Sequence, residues 1–389
     1  MLLSLLSDST RAPREWAMLF ECASPLCNSR RLTELSDSVD WSQLLILAEE
    51  HGLLGHLALR LGALENDLIP AEVRATLVER HRAQVFSTLQ LTAELFHVLD
   101  LFAAKGIAAL VVKGPVLAMH AYGDPTMRPY GDLDLLVRQR DIGLATECLQ
   151  SADFVPTVSF TAINTGKIPG QYLFSKPNAN LLVELHNDFT LRYFPCPLPL
   201  ETLFARSTLV TVDGRGVPAL TVEDELVYIC VHGATHFWDR LSWIADVAAL
   251  TTRETRIDWE SVGVIAKEVE AERMLHTGLL LASDLLSTQL PEKLVKEMRE
   301  DTGAAKLAML VLSWMTAADK RSPTLFERAR FRLLMRGRGF SALPYLLRLS
   351  LSPTEEDWKQ DNRRNRRSIL AGMRRPFRLM RKYGLGGKF

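Results

Sequence analysis

Residues 113–137 read KGPVLAMHAYGDPTMRPYGDLDLLV, and the rest of the chain is best understood outward from them. Just before this stretch, Ala109-Leu110-Val111-Val112 is a short apolar run, partly β-branched, that reads as a buried strand ending at Lys113-Gly114. Pro115 suits the first turn of a helix, where its missing N–H is not needed, and that helix is expected to run to about Tyr122. A loop at Gly123-Asp124-Pro125 follows, from which Arg128 projects, and a second strand is expected over residues 133–137. Side chains alternate along a strand, so Asp132 and Asp134 share one face while Leu133 and Leu135 enter the core. Two carboxylates held that close drive one pKa upward unless a cation sits between them or one keeps its proton. Divalent magnesium is the natural partner, a hard ion that bridges protein carboxylates to substrate phosphates.

At these residues the chain resembles the nucleotidyltransferase superfamily, whose polymerase-beta-like palm carries a glycine turn opening a helix, then a strand with a D-x-D pair. The nearer resemblance is to its bacterial branch of uncharacterised nucleotidyltransferase family proteins, in which the first turn reads Lys-Gly and an arginine precedes a G-D-x-D element. Lys113, Gly114, Arg128, Gly131, Asp132 and Asp134 stand at those positions, and residues 232–246 and 353–384 also resemble that branch. The resemblance implies an α+β fold with a mixed-sheet core flanked by helical domains. It implies Mg2+ or Mn2+ held by Asp132, Asp134 and a third carboxylate from a later neighbouring strand, a role that falls to Glu184 in Leu181-Leu-Val-Glu-Leu-His186, with Asp188 close by as the alternative.

The resemblance further implies that Lys113, Gly114, Arg128 and Gly131 bind the phosphates of a nucleoside triphosphate. Its nucleotide would pass to a hydroxyl of a small-molecule, sugar, peptide or protein acceptor, with release of pyrophosphate. One position departs from the pattern. Many members carry glycine or serine after the motif glycine, where an N–H or hydroxyl holds the triphosphate, and Pro115 can donate nothing. That departure keeps open a non-catalytic nucleotide-binding or scaffold protein, and a transfer of sugar phosphate or phosphoryl group on the same metal pair is a further alternative.

A chain of 389 residues is long for one domain. The expected division is a helical cap over 1–84, the core over 85–215, a helical domain over 216–350 and a basic tail over 351–389. With 46 basic and 46 acidic residues the formal net charge is zero, so nothing global argues for nucleic acid as a partner. Five scattered cysteines without metal-ligand spacing fit a reducing compartment, and a cytoplasmic location is expected. No unbroken run of about 18 apolar residues marks a membrane span, and no G-x-x-x-x-G-K-[ST] string marks a P-loop kinase.

Residues 16–106 have helical spacing, and their last helix, about 85–105, should pack beside the first core strand because only Gly106-Ile107-Ala108 separates them. His51 and His56 are read as structural or surface residues. After the central motif a helix is expected over 141–152, a strand over 154–160, and a hairpin over 171–175 and 181–187 turned at 177–180. Few helices alternate with these strands, which gives a mixed or antiparallel sheet and disfavours a doubly wound one. His186 falls on the strand face of Glu184, so it either approaches the metal or acceptor or orients Glu184.

Thr221-Val-Glu-Asp opens a helix through Cys230, His232 and His236 in the manner of a capping box. The two histidines are four apart, a spacing zinc sites use, but Gly233 breaks the H-E-x-x-H pattern. Trp238 or Arg240 would face the nucleotide by the resemblance, while a core role for Trp238 and Trp243 is the plainer reading. Amphipathic helices continue over 259–349, punctuated by Pro291 and Pro323. The tail, with Arg363, Arg364, Arg366, Arg367, Arg374, Arg375, Arg378, Arg381 and Lys382, reads either as a surface for an acidic acceptor, nucleic acid or membrane, or as a solvated helix balancing an acidic remainder.

Overall fold

The computed structural model describes residues 13–158, 160, 163, 170–177, 179, 181–186, 200–253, 257–317 and 323–336. Asp188, Cys196 and the basic tail lie outside the described residues. The chain opens with helices α1 (Pro13–Ala23), α2 (Ser29–Ser36), α3 (Trp41–Glu50) and α4 (Leu54–Gly62), followed by α5 (Ala71–Ala104). The central stretch then forms β1 (Ala109–Val111), α6 (Pro115–Tyr122), β2 (Leu133–Val137) and α7 (Ile142–Ser151). Next come β3 (Val155–Pro156), β4 (Gln171–Lys176), β5 (Leu181–His186), α8 (Leu200–Arg206), β6 (Thr208–Val212) and β7 (Arg215–Ala219). The remaining helices are α9 (Val222–Thr235), α10 (Leu241–Arg253), α11 (Trp259–Glu268), α12 (Glu272–Leu286), α13 (Glu292–Glu300), α14 (Thr302–Met315) and α15 (Leu325–Met335).

The described strands form one seven-stranded sheet in the order β3-β4-β5-β2-β1-β7-β6. It is mixed, as expected: β1 and β2 are antiparallel, β2 and β5 parallel, β1 and β7 parallel. Strand alternation gives the sheet two different faces. Ala109, Val111, Leu133, Leu135, Val183 and Leu185 look one way, into a core closed by α5 and α7. Leu110, Val112 and Leu136 look the other way, into a second core shared with α6, the N-terminal helices and helices α9 to α12. Asp134 lies between Leu133 and Leu135 and therefore faces the second side.

Three elements differ from the sequence expectation. The strand expected over 154–160 pairs only at Val155 and Pro156, and Phe160 is helical; Pro156 has no N–H for a ladder, which suits this short strand to the sheet edge it occupies. The hairpin of β6 and β7 carries the sheet past residue 215, across the point where the helical domain was expected to begin. Its turn is Asp213-Gly214, both at positive φ (47° and 80°), the backbone of a tight two-residue hairpin turn. Helix α5 runs unbroken through position 85, where the core was expected to start. By length and composition it is the one described helix able to cross a membrane. An unbroken apolar run is missing there because Glu94 and Asp100 interrupt it, and its second half instead buries Leu91, Leu95, Val98 and Phe102 under the sheet.

The second core is closed by Trp238, which is fully buried, so the core reading of this residue holds. Its ring lies between α9 and α12. A Cβ on Gly233 would meet it at 2.6 Å and one on Gly278 at 2.8 Å. Glycine is needed at both points for contact, whatever the backbone angles. Gly233→Ala should therefore force the ring aside and cost roughly 1–3 kcal/mol, the usual range for overpacking. Urea denaturation followed by tryptophan fluorescence would read both the lower midpoint and the altered ring environment.

Candidate active site

The site is built on the two central strands. The parallel register sets Asp134 directly beside Glu184, and Leu136 beside His186. Side chains opposite one another on neighbouring strands point to the same face, so Asp134, Glu184 and, two residues on, His186 converge. Asp134 and His186 are almost completely buried, at 2% and 1% exposure, whereas the Glu184 side chain is about one-third open. His186 Nε2 lies 3.2 Å from Asp134 Oδ1 and 3.4 Å from Glu184 Oε2. Lys113, from the turn after β1, sets its Nζ 2.8 Å from the same Asp134 oxygen.

These contacts separate the two aspartates electrostatically. Burial raises the Asp134 carboxyl, but the Lys113 ammonium and the His186 hydrogen bond outweigh it and hold the pKa below the usual carboxylate range. Asp132, half-buried just before β2, is pushed up to about 6 by burial and then by the Asp134 charge, against the pull of Lys113. Burial alone would lower His186, yet its bonds to Asp134 and Glu184 raise it to about 9. Lys113 is likewise raised, because Asp134 overcomes the cost of burying an ammonium. Without a metal, the charge of Asp134 is answered within the protein by Lys113 and His186.

One ligand atom each from Asp134, Glu184 and His186 lies within 4.8 Å of the others, the one such group of potential metal ligands among the described residues. Two carboxylate oxygens and an imidazole nitrogen on adjacent buried strands fit a divalent cation. Asp132 stands outside that group, and His186 stands inside it. His232 and His236 find no third ligand there. Their ring centroids lie 4.6 Å apart with the planes tilted by 43°, and both pack on Trp243, at 5.0 and 5.5 Å. Burial, with the charge of Lys113 second, lowers His232 well below the usual histidine range, so it is a neutral ring near the site.

Gly114 adopts φ 60°, ψ −129°, a conformation open essentially to glycine alone. The turn it makes starts α6, where Pro115 occupies the first helical position. That position has no intrahelical bond to lose. The N–H groups of Val116 and Leu117 still lack partners inside the helix by its geometry, as at any helix start. Gly131 is exposed, and a Cβ there would meet nothing within 4 Å. Arg240 is exposed in the link between α9 and α10.

Arg128 is buried and paired with a carboxylate. It is 7% exposed, its Nε donates to both carboxylate oxygens of Asp246 on α10 (3.2 and 3.1 Å), and its Nη1 reaches the Gly114 carbonyl at 3.5 Å. Tyr122 at the end of α6 donates to the same Asp246, at 2.9 Å. The arginine therefore ties the loop, α10 and the glycine turn together. A second tie links His120 Nδ1 on α6 to the buried Glu225 Oε2 on α9, 2.5 Å apart. Asp246, Glu225 and Tyr122 were passed over in the sequence. Asp246 is the lone acid in the apolar run Ile244–Leu250, and such an acid needs a buried cation.

The family comparison accords with this geometry. The sequence profile of a family described as uncharacterised nucleotidyltransferase matches residues 37–287, more than half of the chain. The chain belongs to that family. The match spans helices α3 to α12 and the whole described sheet, and so includes every residue of the carboxylate site. No curated protein and no solved structure matches the chain.

Two measurements follow from the buried ties of this nucleotidyltransferase-family protein. Asp246→Ala leaves Arg128 charged and buried without its partner, and should cost roughly 3–5 kcal/mol, whereas the Arg128→Met, Asp246→Leu pair should recover most of that loss. Urea titration of the three proteins decides it. His56 packs its ring on Tyr122 (5.1 Å, 83°) and neither ring nitrogen has a hydrogen-bond partner. Burial, then the charges of Arg60 and Arg128, lower it to about 4. The unfolded chain then binds the extra proton between about pH 6.5 and 4, so stability should fall as pH falls through that window, by roughly 3 kcal/mol in all. In His56→Phe this part of the pH dependence should vanish.

Proposed function

We propose that the protein is a metal-dependent nucleotidyltransferase that moves a nucleoside monophosphate from a nucleoside triphosphate to an acceptor hydroxyl and releases pyrophosphate. The observation that carries this reading is the in-register pairing of Asp134 with Glu184, beside the Gly114 turn, within the family match. Asp132, Asp134 and Glu184 are the acidic residues that would between them hold the divalent metal ions, Mg2+ or Mn2+. When bound, the metal neutralises the α-phosphate and lowers the pKa of the attacking hydroxyl. The greater exposure of the Glu184 carboxylate on the strand pair supports a role for it in accepting that hydroxyl proton.

Lys113 is held by Asp134 at 2.8 Å. With a divalent cation held by Asp134, the Lys113 ammonium would be available to bind the β- and γ-phosphates. The start of α6 offers the N–H groups of Val116 and Leu117 to the same anion. Pro115 therefore removes one donor and leaves these two, which supports triphosphate binding at this turn. Arg128 acts on this site by fixing the Gly114 turn, and phosphate contact falls to Lys113.

Calorimetric titration of each nucleoside triphosphate with Mg2+ or Mn2+ tests the donor, because it needs no acceptor. Binding to the wild-type protein that depends on metal, and that an Asp132→Ala, Asp134→Ala double variant loses, is the expected result. Absence of binding to a folded wild-type protein would falsify the proposal. Once product mass has identified an acceptor, Asp134→Ala should lose several kcal/mol of transition-state stabilisation, on the order of a thousandfold in rate or more at about 1.4 kcal/mol per tenfold. Lys113→Ala should lose less and mainly weaken triphosphate binding.

A further inference from the structure

The resemblance to nucleotidyltransferases implies an all-carboxylate metal site, but the geometry of the two central strands offers something different. The ligand atoms that gather within 4.8 Å are those of Asp134, Glu184 and His186. The Nε2 to oxygen distances, 3.2 and 3.4 Å, which without metal are a hydrogen bond and an ion pair, also suit neighbouring ligands around one ion that replaces the Nε2 proton, since bonds of roughly 2.1–2.2 Å at right angles leave ligand atoms about 3 Å apart. The imidazole is enclosed, its Nδ1 has no hydrogen-bond partner among the described residues, and its polar contacts are all at Nε2. All three residues sit on buried central strands in a fixed register, which holds the donors in place before any ligand arrives. Asp132 lies before β2, half-buried and outside the group.

We propose that Asp134, Glu184 and His186 form a resident site for a single divalent transition-metal ion of the Mn2+ type, and that Asp132 serves only the ion that enters with the nucleotide. The second half of that statement rests on the nucleotidyltransferase reading, while the first stands on the donor set. Replacing one oxygen ligand by imidazole moves selectivity away from Mg2+, which favours all-oxygen octahedra, toward metals that accept nitrogen. His186 is then a ligand in its own right as well as the neighbour of Glu184.

The full chain, free of nucleotide, is titrated with Mn2+ under electron paramagnetic resonance, and pulsed spectra are taken of the bound ion. The expected result is one Mn2+ per chain, bound at least about tenfold more tightly than Mg2+ in competition, with nitrogen-14 modulation from a directly coordinated imidazole. His186→Gln should abolish the modulation and weaken Mn2+ by about tenfold or more, and Asp132→Asn should leave both unchanged. Bound Mn2+ without nitrogen coupling, or coupling that survives in folded His186→Gln, overturns the proposal. If His186→Gln does not fold, the His232→Gln, His236→Gln double variant decides instead, because retained coupling assigns the nitrogen to His186 and lost coupling removes it. Nucleotide calorimetry on the same samples separates the two readings. A nitrogen-coordinated Mn2+ with no triphosphate binding sinks the transferase and keeps this site, and triphosphate binding without nitrogen coupling does the reverse.

Discussion

The parallel pairing of β2 with β5 is the constraint on which the rest of this structure depends. It places one carboxylate directly beside another on the same sheet face, with Asp134 enclosed by protein. Left alone, that arrangement would be repelled by its own charge and by the cost of burial. The surrounding elements answer it with positive charge: the turn after β1 brings Lys113, and β5 itself brings His186. Both partners meet the same oxygen, Asp134 Oδ1, at 2.8 Å from Lys113 Nζ and 3.2 Å from His186 Nε2.

A second layer of buried charge lies behind the first and does a different job. Arg128 and Asp246 join the loop before β2 to α10, and Tyr122 and His120 join α6 to α10 and α9. Ion pairs enclosed to this degree add little net stability compared with apolar packing, but they admit only one geometry. Their worth here is positional. They set the glycine turn and the start of α6 relative to the strand pair, two features whose useful separation is a matter of tenths of an ångström.

Much of the core was legible because its signals are local. A strand ending in Lys-Gly, a proline at the first helical position, and acids alternating with leucines each report on their own few residues, and β1, α6 and β2 lie where those signals put them. Glu184 could be picked out since it is an acid in an apolar strand. What could not be read was which distant residue answers which charge. Arg128 looks from sequence like a free cation near the motif, and only the fold reveals Asp246, 118 positions later, as its partner. Other features were legible and overlooked: Asp213-Gly214 between alternating residues is a hairpin signal, and Glu225, Tyr228 and His232 fall at three- and four-residue spacing on one face of an otherwise apolar helix. Pro156 carried its own warning against a long strand.

Helix α5 bears on how such a site can move. Its 34 residues span about 50 Å as one rod, with its first turns beside α4 and its last under the sheet. Along the way Gln84 donates to the Thr126 carbonyl at 3.2 Å, and Tyr130 bonds Thr92 and Thr88. The loop that carries Arg128 is therefore riveted to the middle of a beam. A hinge between cap and core has no soft joint at that point, so any closing of the N-terminal helices over the carboxylates has to swing the beam as a whole and carry the loop with it. The N-terminal helices and the loop would then shift together, as one lever.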